Sequence, residues 1–244
     1  MAVIVAASPK GGVGKTTISL FLAEELAVRG YDVAIVEADP AAHNARYRAT
    51  REEVGRALNF TLYTDRSETT LGRTIKDADG RHDVVIVDLP GQKGLLLTRA
   101  VARANLVLIP MMMDNKDANA AIDGLETIAV EVEHLERPIE HRLVLNGVTN
   151  AAQGENAVAI DRTERFLRQA VAEAGYPRLR SELTFRRGGY RESYTFAQTL
   201  RELNAARKSV GMERAQHEVE RMTDEVLELL RMPASIRSAA VTSQ

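Results

Sequence analysis

Lys10-Gly11-Gly12-Val13-Gly14-Lys15-Thr16-Thr17 decides how this chain is read. An apolar run at residues 3–7 leads into it. A helical pattern over residues 16–29 leaves it, with Ile18, Phe21, Leu22 and Leu26 on one stripe and Gly30 as a stop signal. Strand, glycine-rich turn and helix start, in that order, make a P-loop. Glycines let the backbone approach a phosphate closely, and successive N–H groups form an anion cradle. The helix N-terminus adds favourable partial charge. Gly11, Gly12, Val13, Gly14 and Thr17 complete the nucleotide-binding set. Lys15 is placed for the β- and γ-phosphates, and the Thr16 hydroxyl is placed to ligate Mg²⁺. Pro9 stands where the usual pattern has a glycine, and a second lysine, Lys10, follows it.

Outward from the loop, short apolar runs recur at residues 33–37, 84–88, 106–110 and 143–147. They are rich in Val, Ile and Leu, as strands buried on both faces of a parallel sheet are. Helical patterns at 116–133 and 155–175 alternate with them, a short helix fits 68–78, and a final amphipathic helix covers 213–231. The expected fold is α/β: a doubly wound, mostly parallel sheet flanked by helices, the P-loop NTPase fold. Residues 1–232 read as a single domain and 233–244 as a polar tail.

Composition narrows the chemistry. The 244 residues carry a net charge of −2, so any basic surface must be local. With no cysteine there is no disulfide, thiolate metal site, cysteine-ligated iron–sulfur cluster or thiol catalysis. The lack of cysteine makes a cytosol the simplest setting, and the apolar start is too short for a signal peptide or a spanning helix.

Two strands end in acids, at the edge where sites in open α/β sheets lie. Residues 33–40 finish as Glu37-Ala38-Asp39-Pro40, with Asp39 24 residues beyond Lys15. Residues 84–91 run Val-Val-Ile-Val-Asp88-Leu-Pro-Gly91, a Walker B form in which Asp88 holds Mg²⁺ directly or through water. Gly91 leaves the following loop free to move near the γ-phosphate. Asp114-Asn115-Lys116-Asp117 has the wrong spacing for a guanine-reading motif.

The loop with its two lysines resembles the deviant Walker A motif of the ParA/MinD family, dimerising ATPases that position DNA, division sites and other cargo. The resemblance implies ATP as substrate and Lys10 as a residue that crosses a dimer interface to the partner's nucleotide. It implies that Asp39 orients the attacking water. Glu37 departs from the family's first switch aspartate. Asn146 corresponds to the asparagine used against adenine. From residue 178 to 208 there are eight basic and three acidic residues, a local excess of +5. Short partition proteins of this family coat the nucleoid as ATP-bound dimers through a basic C-terminal surface, and Arg186, Arg187 and Arg191 are the candidates here. The implied partners are a second copy of the chain, DNA of any sequence and a ParB-like or other small DNA-binding activator. A MinD-like membrane- or cargo-positioning ATPase is the alternative. The weakly apolar end of the chain does not suit a membrane helix.

Overall fold

The computed structural model describes residues 1–92, 94–113, 115–135, 137–148, 162–184, 189–207 and 209–236, less the side chains at 115–118, 120, 132 and 134. Strands β1 (Ala2–Ala6), β2 (Val33–Glu37), β3 (Thr61–Thr64), β4 (Val84–Asp88), β5 (Leu106–Met112), β6 (Glu140–Val148) and β7 (Leu183–Thr184) form one sheet in the order β3-β2-β4-β1-β5-β6-β7. Every pairing is parallel. β1 sits at the centre, between β4 and β5, so the loop that leaves it opens at the middle of the sheet's carboxyl edge.

Strand residues divide by parity, because successive side chains point to opposite faces, except past the irregularity at the end of β6 that turns Val148 to the face of Leu145. Val3, Val5, Val36, Val85, Val87, Val107 and Ile109 face one layer, built from α3 (Leu71–Asp79), α4 (Leu95–Val101), α5 (Asn115–His134) and α6 (Arg162–Glu173). Ile4, Ile35, Ile86, Leu106 and Leu108 face the other, where α1 (Lys15–Val28), α2 (His43–Glu53) and α9 (Val210–Leu229) contribute Ile18, Leu22, Leu26, Tyr47, Met222 and Val226. Both faces are covered, as the apolar runs required.

Several boundaries differ from the sequence reading. β6 begins three residues before the apolar run at 143, and the helical pattern at 155–175 is seen as Arg162–Glu173, its start lying outside the described residues. α1 is buried on nearly every side rather than along one stripe; Ser19, Leu20, Ala23, Glu24 and Glu25 are also inside. Two short helices, α7 (Gly189–Phe196) and α8 (Leu200–Ala206), pack against α9. The chain beyond α9 does not leave the body at once. Tyr31 hydroxyl donates to the Pro233 carbonyl, and Ile236 N–H and the Ser235 hydroxyl donate to the Arg29 carbonyl at 3.1 and 2.8 Å. Among the described residues no helix is long and apolar enough to cross a membrane.

Glu24 carries a measurable consequence of this packing. Burial pushes its carboxyl up to about 7, against the hydrogen bond from the Tyr47 hydroxyl and the charge of Arg51, and with the help of Glu202. The folded state therefore holds a proton that the unfolded chain releases near the ordinary value of 4.5. Stability from this group is full below that value and is lost as pH rises toward 7. Between about pH 5 and pH 8 the wild type should lose up to about 3 kcal/mol relative to Glu24→Gln, in which no proton is released. Urea titrations of both proteins at the two pH values measure this; curves that shift in parallel would refute it.

Candidate nucleotide site

The P-loop takes its shape from two left-handed glycines, Gly12 at φ 80° and Gly14 at φ 103°. Gly14 is also the N-cap of α1 and no side chain caps that helix. The first N–H groups of α1 thus open toward a cleft of about 280 Å³ lined by Gly11, Gly12, Lys15, Thr16, Asp39 and His43. Lys15 lies almost wholly inside, at 5 % exposure. Its ammonium donates to the Lys10 carbonyl at 2.9 Å, which closes the loop on itself. Burial lowers its pKa, opposed by the charges of Asp88 and Asp39. Lys10 is half-buried, and its own N–H donates to the Ser8 hydroxyl at 3.3 Å. Pro9 fits in place of the usual glycine because Gly124 on α5 leaves it room; a Cβ there would come within 3.2 Å of Pro9 Cδ.

The two acidic strand ends meet below the loop. Asp88 is fully buried, and the Asn44 side-chain amide donates to its Oδ2 at 2.9 Å. Its other oxygen, Oδ1, is buried with no hydrogen-bond partner, as is Asn44 Oδ1. Burial pushes the Asp88 carboxyl up to about 7, Glu37 raises it further, and Thr16, Lys15 and Asn44 pull it down. An orphaned carboxylate oxygen close to the Thr16 hydroxyl is a hard-oxygen environment, and it fits Mg²⁺. Asp39 is partly exposed; its Oδ1 accepts the Ala41 N–H at 2.8 Å in an Asx turn that starts α2. Glu37 faces neither cleft nor solvent. Its two oxygens accept the N–H groups of Asn44 and Ala45 at 2.6 and 3.3 Å, so it caps α2 from the neighbouring strand.

A second cleft of about 360 Å³ adjoins the first, sharing Gly12, Gly14, Thr17 and Tyr194 with it. Asn146 stands in it and donates one amide hydrogen to the Val13 carbonyl at 2.9 Å. Leu183, Tyr190 and Arg191 wall it from the C-terminal part of the chain. Asn44 and His43 escaped the sequence reading. Tyr194 hydroxyl donates to the His43 carbonyl at 3.0 Å and its ring stacks on Tyr47 at 6.1 Å, joining α7 to α2. Nothing in the order of the chain marks these contacts, which span about 150 positions.

Gly91 is the other residue whose role is steric. A Cβ there would lie 2.5 Å from Gly11 N and 2.7 Å from the Lys10 carbonyl carbon, so the loop after β4 touches the P-loop backbone directly. Gly91→Ala forces the two loops apart. Overpacking of this kind costs about 1–3 kcal/mol, and nucleotide affinity should fall about tenfold or more. Calorimetry beside a thermal melt tests this; unchanged affinity and stability would show that the loops yield freely.

The basic segment looks different in space than in sequence. Arg180 pairs with Glu225 and Glu228, Arg201 with Glu25 and Glu220, Arg178 with Glu182, and Arg207 with Glu192. Acids from α1 and α9 thus offset much of the local excess. Arg191 is exposed, while Arg186, Arg187 and Lys208 lie outside the described residues, as does the side chain set of 114–117.

A central parallel sheet with a glycine cradle and a buried lysine at its carboxyl edge defines a P-loop nucleotide-binding protein. The description "CobQ/CobB/MinD/ParA nucleotide binding domain" matches residues 4–179, and the chain belongs to that family. It is 38 % identical over 160 residues to Protein ParA of Rhizobium radiobacter, covering 66 % of this chain and 71 % of that protein. It is 27 % identical over 211 residues to the maintenance of carboxysome distribution protein A of Halothiobacillus neapolitanus, covering 86 % and 91 %. The solved ATP complex of a Cyanothece McdA variant superposes with a TM-score of 0.72 at 18 % identity, over 96 % of this chain and 97 % of that one. The chain is an ATPase of the ParA/MinD family, whose members act in partition or positioning.

Proposed function

We infer that this chain is a Mg²⁺-dependent ATPase that dimerises on ATP, binds DNA without sequence preference in that state, and positions a cargo through a small activator protein. The observation that carries this reading is the loop itself. Lys15 lines the phosphate cleft and is anchored on the Lys10 carbonyl, so the backbone of the second lysine is tied directly to the first. A second cation there suits the charge that develops on a transferred phosphoryl group, as an arginine finger does.

In this reading Lys15 contacts the β- and γ-phosphates, with the N–H groups of Gly11 to Thr17 around them. Thr16 and Asp88 would hold Mg²⁺, which would supply positive charge against the phosphates. Asp39, held by its turn, orients the attacking water. Asn146 offers an acceptor and a donor to the base edge. Arg191, with Arg186 and Arg187 beside it in sequence, supplies the DNA contact, because the arginines at 178, 180, 201 and 207 already have acidic partners. The likeness to ParA supports a replicon as cargo. The longer overlap with the carboxysome distribution protein supports a protein body.

The test combines three measurements on one variant. Lys10→Ala should bind ATP as the wild type does, stay monomeric in light scattering with ATP, and fail to bind mixed-sequence duplex in fluorescence anisotropy. Wild-type binding should need ATP rather than ADP and weaken steeply with salt, with a log–log slope of about −0.9 per phosphate neutralised. A Lys10→Ala protein that dimerises and turns over normally would return Lys10 to an ordinary loop lysine. Wild-type binding to anionic vesicles in place of DNA would favour membrane positioning.

A further inference from the structure

A third cavity, of about 230 Å³, opens between α1, α8 and α9, on the far side of Phe21 from the nucleotide cleft. Phe21, Leu200 and Val219 wall it with apolar surface and belong to one packed cluster. Glu24 also lines it and is 7 % exposed. Its Oε1 accepts the Tyr47 hydroxyl at 2.6 Å, and among the described residues Oε2 has no hydrogen-bond partner. The other acids of the cavity are already matched. Glu25 pairs with Arg29 and Arg201, and Glu202 with Arg51 at 2.9 Å.

We propose that this cavity is a second ligand site, which takes an alkyl guanidinium or alkyl ammonium group, its stem against Phe21, Leu200 and Val219 and its head on Glu24. A long aliphatic cation buries its methylenes on apolar surface while its charge finds a carboxylate. A donor aimed at Oε2 makes the charge-assisted bond that the fold itself leaves unmade. The head group can come from a free polyamine or from an arginine or lysine side chain of a partner; the chemistry is the same. The nucleotide machinery uses neither Glu24 nor this cavity, so the site stands apart from the ATPase reading.

Binding also carries a pH signature. The groups around Glu24 are Tyr47 and Arg51 from α2, Glu202 and Arg201 from α8, and Glu25 from α1. With the free carboxyl at about 7, the charged form that binds a cation declines as pH falls through neutrality. Affinity for a fixed cation should therefore be about tenfold weaker at about pH 6 than at about pH 8.

The experiment is calorimetry on the full chain without nucleotide, using agmatine, putrescine and a blocked peptide with one central arginine as probes. Agmatine or the peptide should bind one to one with the expected pH dependence. Binding of the free amines identifies a small cation as ligand, and binding of the peptide alone identifies a side chain. Glu24→Gln keeps an acceptor for Tyr47 and should weaken binding about tenfold or more. Val28→Arg, on the exposed end of α1 at the cavity mouth, should abolish probe binding with ATP affinity unchanged. The proposal is overturned if no probe binds, if Glu24→Gln binds as well as wild type, or if affinity is flat with pH. ATP binding is read separately on the same samples, so failure here leaves the nucleotide site standing.

Discussion

Lys15→Ala should lose ATP binding by about two to three orders of magnitude with the fold intact. The side chain is at 5 % exposure, and its ammonium donates to a backbone carbonyl of its own loop. Burial disfavours its charge, and Asp88 and Asp39 restore it. It is therefore a cation held ready for more negative charge than the protein provides. Removing one member of a buried, hydrogen-bonded charge pair costs about 2–5 kcal/mol or more. Lys15 takes no part in the apolar packing on either face of the sheet, so the fold should survive its loss. Isothermal calorimetry gives the affinity and a thermal melt gives the fold. Unchanged ATP affinity would remove Lys15 from the phosphate site.

Asp39→Ala should leave ATP affinity within a few-fold and slow turnover by about 10²–10⁴, the range for losing a positioned proton acceptor. The carboxylate opens on the phosphate cleft, and among the described residues only one oxygen is committed, to the Ala41 N–H. The other is available to a water molecule. Part of the effect comes from the loosened turn before α2, and Asp39→Asn separates the two contributions. Asparagine keeps the turn but is a poor base, so it should be nearly as slow as alanine. Phosphate release under single-turnover conditions distinguishes chemistry from binding. A variant that turns over normally would take Asp39 out of the reaction.

The centre of the sheet was legible in the sequence because β1, β2, β4 and β5 are buried on both faces, which writes them as unbroken apolar runs. The edges were not. β3, Thr61–Thr64, is half-exposed and four residues long, and β7 is two residues. α2 carries little apolar periodicity of its own; its place depends on Glu37 at its start, Tyr47 beneath it and Arg51 reaching Glu202 and the Ala197 carbonyl. The glycine cradle and its lysines could be read because one short stretch holds them all. The contacts of Asn44 and Tyr194 could not, since each acts through a partner far along the chain. The basic segment misled for the same reason. A window of sequence counts Arg180 and Arg201 as surplus charge and does not see Glu25, Glu220, Glu225 and Glu228 arriving from two other helices.

The cap that Glu37 places on α2 also makes a clock. The amide hydrogens of Asn44 and Ala45 point into a carboxylate that solvent does not reach, so they exchange with water only when the first turn of α2 lifts. They lie five and six residues beyond Asp39, on the helix that begins at His43 beside the phosphate cleft. Their deuterium uptake in the free, ADP-loaded and ATP-loaded protein therefore times the seating of that turn, state by state. The chain carries the reporter in its own backbone, with no label attached and no residue changed.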